Sequence, residues 1–137
     1  MASALLWQTL KQANHSQGEA MTTETFIDVV KEVVRDASIN SVETLLHQVP
    51  GRSPDKRLVA LSAWHTTLSD SDKQMVAQVI KEAVDEAVFG FLCVLDGVSV
   101  VEPGSGDFEV RYIRNGESMV LAPNEEAGYL HDLYKAE

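Results

Sequence analysis

The sequence predicts an α+β fold: a mostly helical bundle with a long central helix, then a C-terminal antiparallel β-hairpin or three-stranded meander. Apolar residues recur at three- and four-residue spacing between residues 21 and 96, the pattern of amphipathic helices. After Gly97 the pattern alternates, and the Asn-Gly pair at 115–116 is the strongest short hairpin signal. With 137 residues, 45% of them hydrophobic, the chain suits one core, so residues 21–137 are expected to form a single globular domain.

Residues 1–20 are expected to form a weakly docked N-terminal helix or arm. Leu5, Leu6 and Leu10 give one short apolar stripe, with Trp7 turned partly away, before the polar run at 14–18 breaks the pattern. An arm that docks on another subunit is the alternative, so a structural homodimer is one hypothesis. The segment lacks the basic start and apolar core of a signal peptide, which predicts a cytoplasmic location.

Three helices are predicted before the long one. The first has Thr22 or Thr23 as its cap and an apolar stripe over residues 26–37, opposite its charged residues. A second, shorter helix is expected to open at Asn40 or Ser41 and to stop at the Pro-Gly pair at 50–51. The Ser-Pro pair at 53–54 predicts the third start, with serine as the cap and proline at the first helical position.

The longest helix is predicted over about residues 70–96, because Ser69 and Asp72 are spaced like a capping box. Its apolar positions step by four: Met75, Val79, Ala83, Ala87, Phe91 and Leu95. Four residues advance about 40° beyond one turn, so this stripe winds around the helix and needs different neighbours at its two ends. The segment 87–95 is apolar all round and predicts a buried end, with Gly90 admitting a neighbouring backbone.

The predicted hairpin joins strands at 108–114 and 117–122. A two-residue loop fixes three facing pairs, which are Arg114–Glu117, Tyr112–Met119 and Val110–Leu121. A preceding strand at 98–102 completes the meander in the three-stranded alternative. The Pro-Asn pair at 123–124 is expected to open a last short helix, with Leu130 and Tyr134 facing inward.

Composition excludes several classes of function. The 11 Lys and Arg residues are outnumbered by 21 Asp and Glu, and the net charge of -10 makes nucleic acid or an anionic membrane surface an unsuitable partner. No apolar run approaches the roughly 20 residues of a membrane helix. The single cysteine excludes an internal disulfide or a multi-cysteine metal site, and no cofactor motif is present.

The negative charge is unevenly distributed. Residues 1–67 carry 6 Lys and Arg against 7 Asp and Glu, whereas residues 68–137 carry 5 against 14. Such asymmetry can steer a basic protein to the C-terminal half, although solubility is the simpler explanation of the charge and a solvated helix face the simpler explanation of residues 82–86. The candidate partner-binding residues are Glu82, Asp85, Glu86, Glu125 and Glu126.

A catalytic constellation is harder to find. The adjacent pair His131 and Asp132, with His65, is the alternative hypothesis of a small metal-assisted or acid–base enzyme. Adjacent helical residues point about 100° apart, so the pair alone forms no chelate. Cys93 lies in the apolar helix end without a base beside it, which predicts an inert core thiol. A non-enzymatic role is therefore favoured over catalysis.

Three stretches, at 64–72, 89–98 and 129–134, resemble a group of small uncharacterised bacterial proteins, and the resemblance implies no site residue. In size and charge alone the chain is also similar to immunity proteins of bacterial toxin systems. The leading hypothesis is a non-enzymatic acidic binding protein, of the immunity type, that neutralises a basic bacterial protein.

Overall fold

The computed structural model describes residues 20–99, 101–104 and 106–136, so the predicted arm at 1–20 lies almost wholly outside the described residues. The α+β prediction is confirmed. The elements are α1 (Thr23–Val29), a π-helical segment (Val30–Asp36), α2 (Ala37–His47), α3 (Lys56–Thr66), α4 (Asp70–Leu95), β1 (Val110–Arg114), β2 (Glu117–Ala122) and α5 (Leu130–Lys135). Among the helices in these ranges, none combines the length and apolar character needed to span a membrane.

One continuous helix replaces the first two predicted helices. Thr22 caps it, because its side-chain oxygen accepts a hydrogen bond from the Thr25 backbone N–H at 3.2 Å. The backbone stays helical through the π-helical segment into α2. The predicted start at Asn40 or Ser41 is therefore wrong. Both residues are exposed within α2, and the helix continues past them to His47.

The third helix begins later than its sequence predicts. The cap is Asp55, whose Oδ1 accepts a hydrogen bond from the Arg57 N–H at 2.7 Å, so α3 starts at Lys56 rather than at Pro54. A carboxylate at this position also complements the partial positive charge of the helix N-terminus, which favours it over Ser53 as the cap. The Ser62 hydroxyl donates to the Leu46 carbonyl at 2.9 Å and ties α3 to the end of α2.

The long helix α4 follows its prediction closely at its start. Ser69 accepts from the Asp72 N–H at 3.1 Å, which confirms the cap. Its C-terminal part is buried on one side only, at Val88, Leu92 and Cys93, while Phe91 remains exposed. The expected all-round burial is thus wrong, because the neighbouring helices cover only part of the cylinder. No described atom would lie within 4 Å of a Cβ placed on Gly90, so that glycine does not serve a close backbone approach.

The hairpin forms with one change of register. The pairs next to the turn are as predicted, and Asn115 and Gly116 both have positive φ angles, of 54° and 82°. Val110 pairs with Ala122 instead of Leu121, because a bulge interrupts the ladder after Val110. The bulge allows Leu121 and Ala122 to be buried together. The described residues of 98–102 form no strand, so the sheet is the two-stranded alternative of the prediction.

The core lies where α1, α4 and α5 meet. Its buried residues include Ile27, Val88, Leu92, Leu130 and Tyr134. The buried Thr23 hydroxyl donates to the Leu121 carbonyl at 2.8 Å and accepts from Asn124 Nδ2 at 3.0 Å, which joins the start of α1 to the end of the hairpin. α5 starts at Leu130 rather than at Asn124, since residues 125–127 form a turn in which the Asn124 side chain accepts backbone N–H groups.

Candidate functional site

The middle of α4 exposes an apolar surface edged by carboxylates. Met75 and Val79 are 57% and 65% exposed, and their four-residue spacing places them along one side of the helix with Ala83. Glu82 and Glu86 are exposed on that side. These five residues, Met75, Val79, Glu82, Ala83 and Glu86, are termed the α4 ridge. Exposed apolar side chains contiguous on one helix and bordered by charge are typical of a protein-binding surface.

An open apolar groove runs beside the ridge, between the first helix and the second half of α4. Its volume is about 630 Å³. We define the apolar groove by Phe26, Val30 and Val34 on one wall and Ala87, Phe91 and Leu95 on the other. Val34 and Phe91 remain 47% and 62% exposed. Ala83 of the ridge also lines the groove, so the two apolar surfaces are continuous.

The predicted acidic residues of α4 separate into two kinds. Asp85 is largely covered, because its carboxylate accepts hydrogen bonds from Lys135 Nζ at 2.7 Å and from the Tyr134 hydroxyl at 2.8 Å. The hydrogen bond from Lys135, and after it that from Tyr134, lowers the pKa of Asp85. Glu82 and Glu86 are exposed, with Glu86 3.5 Å from Lys135 Nζ. Asp85 therefore fastens α5 to α4, and the ridge presents the other two carboxylates.

The second predicted acidic pair lies in a different element. Glu125 and Glu126 are exposed in the turn before α5. Asn124 Oδ1 accepts from the Glu126 N–H at 3.1 Å and from the Ala127 N–H at 3.2 Å, which holds the turn. These two carboxylates belong to the turn and not to the α4 ridge, so they are a separate candidate surface.

Asp96 organises the start of α5. Its carboxylate, 3% exposed, accepts from the Leu130 N–H at 3.0 Å and from the His131 N–H at 2.9 Å, and lies 2.6 Å from His131 Nδ1. The first N–H groups of a helix need such acceptors, and Tyr129 at the cap position supplies no side-chain bond. The Asp96 carboxylate is thus a cap provided from 34 residues away in the sequence, and it also orients the His131 ring.

Of the three residues of the enzyme hypothesis, His131 and Asp132 lie together, with His131 Nε2 3.4 Å from Asp132 Oδ1, and His65 lies in different surroundings. His131 packs against Phe89 and Tyr129, with ring centroids 5.8 and 5.4 Å away, while Asp132 is exposed. His65 is buried, with its ring 5.6 Å from that of His47. Within the part of the chain that the structure describes, no three His, Cys, Asp or Glu side chains are grouped to hold a metal ion. Metal-assisted catalysis stays a prediction.

Cys93 is buried next to this region. Burial, followed by the negative charges of Asp96 and Asp132, raises the pKa of the Cys93 thiol. The protonated thiol is a poor nucleophile, so the local electrostatics favour the inert core cysteine that the sequence predicts.

Searches against protein-family models, characterised proteins and solved structures find no match for this chain.

The sequence predicts the acidic residues of the ridge as a partner-binding surface, and this stays a prediction; it predicts neither the groove nor the contacts of Asp96. The groove has a signal in the sequence, since Phe26, Val30 and Val34 repeat the four-residue step of α4. Asp96, next to Gly97, indicates only a helix end, because nothing local shows that its carboxylate reaches α5.

The Tyr134 hydroxyl gives a prediction about alkaline pH. Burial, followed by the hydrogen bond to Asp85, raises the pKa of Tyr134 from 10.0 to about 12. The folded state holds this proton more tightly than the unfolded chain, so the contribution is complete below pH 10 and is lost as the pH rises through about 12. Two pKa units correspond to about 2–3 kcal/mol of unfolding free energy.

Urea unfolding of the wild type and of Tyr134→Phe at several pH values between 9 and 12 measures the contribution of the Tyr134 hydroxyl to the free energy of unfolding. We expect the wild type to lose its advantage over the phenylalanine variant across that range, since the variant has no hydroxyl to titrate. A difference in free energy that does not change with pH contradicts the prediction.

Proposed function

We propose that this chain is a non-enzymatic binding protein that engages a basic protein through the α4 ridge, as an immunity-type protein would engage a toxin. The observation that carries the proposal is the exposure of Met75 and Val79 on one helix face beside the exposed carboxylates of Glu82 and Glu86. Lys135 is 3.5 Å from Glu86 at the edge of this face, but its shorter contact, at 2.7 Å, is with the neighbouring Asp85, which also binds Tyr134.

The two parts of the ridge have different physical roles. Burying the apolar side chains supplies affinity, at about 25 cal/mol for each Å² of apolar surface removed from water. The carboxylates accelerate association with a positively charged partner and select it over acidic proteins, an effect that weakens as salt screens the charges. A suitable partner presents an apolar side chain surrounded by Lys or Arg.

Charge reversal on the ridge tests the proposal. The tagged full chain is used to capture partners from its own cell lysate at low and high salt, and the recovered protein is then titrated with the double variant Glu82→Lys and Glu86→Lys. We expect roughly 10- to 100-fold weaker binding, mainly through slower association, and a smaller salt dependence. Val79→Asp, which removes the apolar contact, should weaken binding mainly by faster dissociation.

The matched control is the double variant Glu125→Lys and Glu126→Lys, which changes the net charge equally in a different element. It should retain the affinity of the wild type to within about threefold, because distant exposed charges are screened. Circular dichroism of each variant verifies the fold. If the turn variant loses binding and the ridge variant keeps it, the binding surface is the second acidic pair. If both keep it, the acidic-face hypothesis is wrong.

A further inference from the structure

The outer edge of β1 has backbone groups that β2 does not use. The two-residue turn makes Arg114 and Tyr112 exchange backbone hydrogen bonds with β2. The backbone groups of Arg111 and Ile113 therefore point to the opposite side. Among the residues that the structure describes, no backbone group of another element bonds to either of them. An unpaired edge of this kind is a template for a further strand.

The strand itself is regular and accessible. The bulge of the hairpin places its extra residue, Leu121, on β2, so β1 keeps its alternation. Residues 106–109, which lead into β1, are exposed, as are the side chains of Arg111 and Ile113. Residues 106–114 contain no proline, which would interrupt pairing.

The sequence around Val110 is complementary to itself when reversed. The residues on its two sides are Glu109 and Arg111, and those beyond them are Phe108 and Tyr112. In an antiparallel pair of β1 strands centred on Val110, each Glu109 faces Arg111 of the second copy. Each Phe108 likewise faces Tyr112. Opposite-charge and aromatic pairs directly across two strands both stabilise a sheet.

The structure orients these side chains as such a pair requires. Glu109 and Arg111 lie on one side of the strand, since the Glu109 carboxylate accepts a hydrogen bond from Arg111 Nε. Phe108 alternates with them and so falls on the side of Val110 and Tyr112. The backbone groups of Glu109 and Arg111 both point outward and can exchange hydrogen bonds with a second copy. Each carboxylate then lies between two guanidinium groups.

We propose that two copies of this chain pair antiparallel through the outer edge of β1, with Val110 on the two-fold axis, so that two hairpins form one four-stranded sheet. The contact is isologous, because the same residues serve both copies. Five paired residues make a small interface, for which we expect a dissociation constant of roughly 10–100 μM. The dimer does not depend on the binding of a partner to the α4 ridge.

Exchange of charges between two variants tests the pairing. Glu109→Arg brings two arginines into each cross-strand pair, and Arg111→Glu brings two carboxylates. We expect each variant alone to associate at least about tenfold more weakly than the wild type, because like charges face each other. An equimolar mixture of the two variants restores both opposite-charge pairs and should dimerise to within about threefold of the wild type. Sedimentation equilibrium over a range of concentrations measures each case.

Arg114→Glu is the matched control. It lies in the same strand and changes the net charge as Arg111→Glu does, but it faces the uncharged Gly106 of the second copy in this register. Its dissociation constant should stay within about threefold of the wild type.

Three results overturn the proposal. A wild-type chain that stays monomeric up to about 1 mM shows that the edge does not pair. A dimer that both single variants retain uses another surface. If each single variant is a monomer and their mixture is also a monomer, the charges act within each hairpin and not between copies.

Disulfide crosslinking checks the register independently of charge. In a Cys93→Ala background, Val110→Cys places two cysteines opposite each other, with Cα atoms about 4.5 Å apart, within the range of a disulfide. Tyr112→Cys is the control, because its two copies lie roughly 14 Å apart in this register. We expect Val110→Cys to form linked dimers at least about tenfold faster. Equal rates, or faster crosslinking at position 112, contradict the proposed dimer.

Discussion

Replacing Asp96 with alanine is expected to lower the free energy of unfolding by about 3 kcal/mol. The buried carboxylate accepts from two backbone N–H groups, at Leu130 and His131, and pairs with the His131 ring. Removing a helix cap costs about 1 kcal/mol, and each buried donor left without an acceptor costs about 1–3 kcal/mol before the structure relaxes. Loss of the cap also loosens α5, which carries Leu130 and Tyr134 into the core.

Urea unfolding at pH 7 measures this effect, and Asp132→Ala is its control. Asp132 is next to His131 but 70% exposed, so its removal should change the unfolding free energy by less than about 0.5 kcal/mol. Asp96→Asn should fall between the two, because the amide retains an acceptor oxygen but places an NH₂ group against the remaining donors. A loss below about 1 kcal/mol for Asp96→Ala means that water replaces the carboxylate.

Leu130→Ala is expected to destabilise the protein by about 3 kcal/mol, within the range measured for leucine-to-alanine changes in cores. Leu130 is fully buried and belongs to the core cluster with Ile27, Val88 and Leu92. Three removed carbon atoms lose their transfer free energy, and the long α4 restricts how far the site can collapse around the cavity. The melting temperature should fall by roughly 10 °C for a chain of this length.

Thermal and urea unfolding of Leu130→Ala are compared with those of Ile113→Ala. Ile113 lies on the exposed face of β1 at 68% exposure, so the same kind of truncation should cost less than about 0.5 kcal/mol there. Similar losses for the two variants contradict the assignment of the core to the contact of α5 with α1 and α4.

The features that the sequence predicts correctly are set by neighbouring residues. Ser69 and Asp72 are three residues apart and cap α4 without help from the rest of the chain. Asn115 and Gly116 adopt positive φ angles, so the pairs next to the turn follow from the turn alone. The register is lost at Val110, where burial of both Leu121 and Ala122 against the helices favours a bulge that no local pattern indicates.

The helix starts that the sequence misplaces show competition between local signals. Ser53-Pro54 and Asp55 are all good helix starts, and the charged cap two residues later prevails. Asn40 and Ser41 are weak helix formers, which is why the sequence indicates a boundary there. In the structure both lie inside α2, which runs from Ala37 to His47. Helix propensity alone allows a boundary at these two residues. The packing of α2 against α3 and α4 favours a continuous helix instead.

For the candidate site, the sequence predicts the negative charge of α4 but not which of its side chains are exposed or paired. The sequence shows that α4 is acidic, but not that Asp85 is neutralised by Lys135, fifty residues later. Whether Met75 and Val79 face a neighbour or water depends on how the helices are placed, and the same apolar stripe is compatible with both. The groove requires two helices at a given separation, which periodicity does not specify.

The π-helical segment Val30–Asp36 changes the direction in which the following side chains point around the helix axis. At its end the Ala37 N–H bonds to Glu32, five residues back, so each turn takes in more residues than an α-turn. A step of four residues rotates by more than one full turn in an α-helix but by less than one full turn in a π-helix. The sideways shift of Phe26, Val30 and Val34 around the helix is therefore partly reversed. A π-turn has the same effect on the backbone as the insertion of one residue into an α-helix. The number of residues in this segment, more than their identity, therefore determines which side chains face the groove.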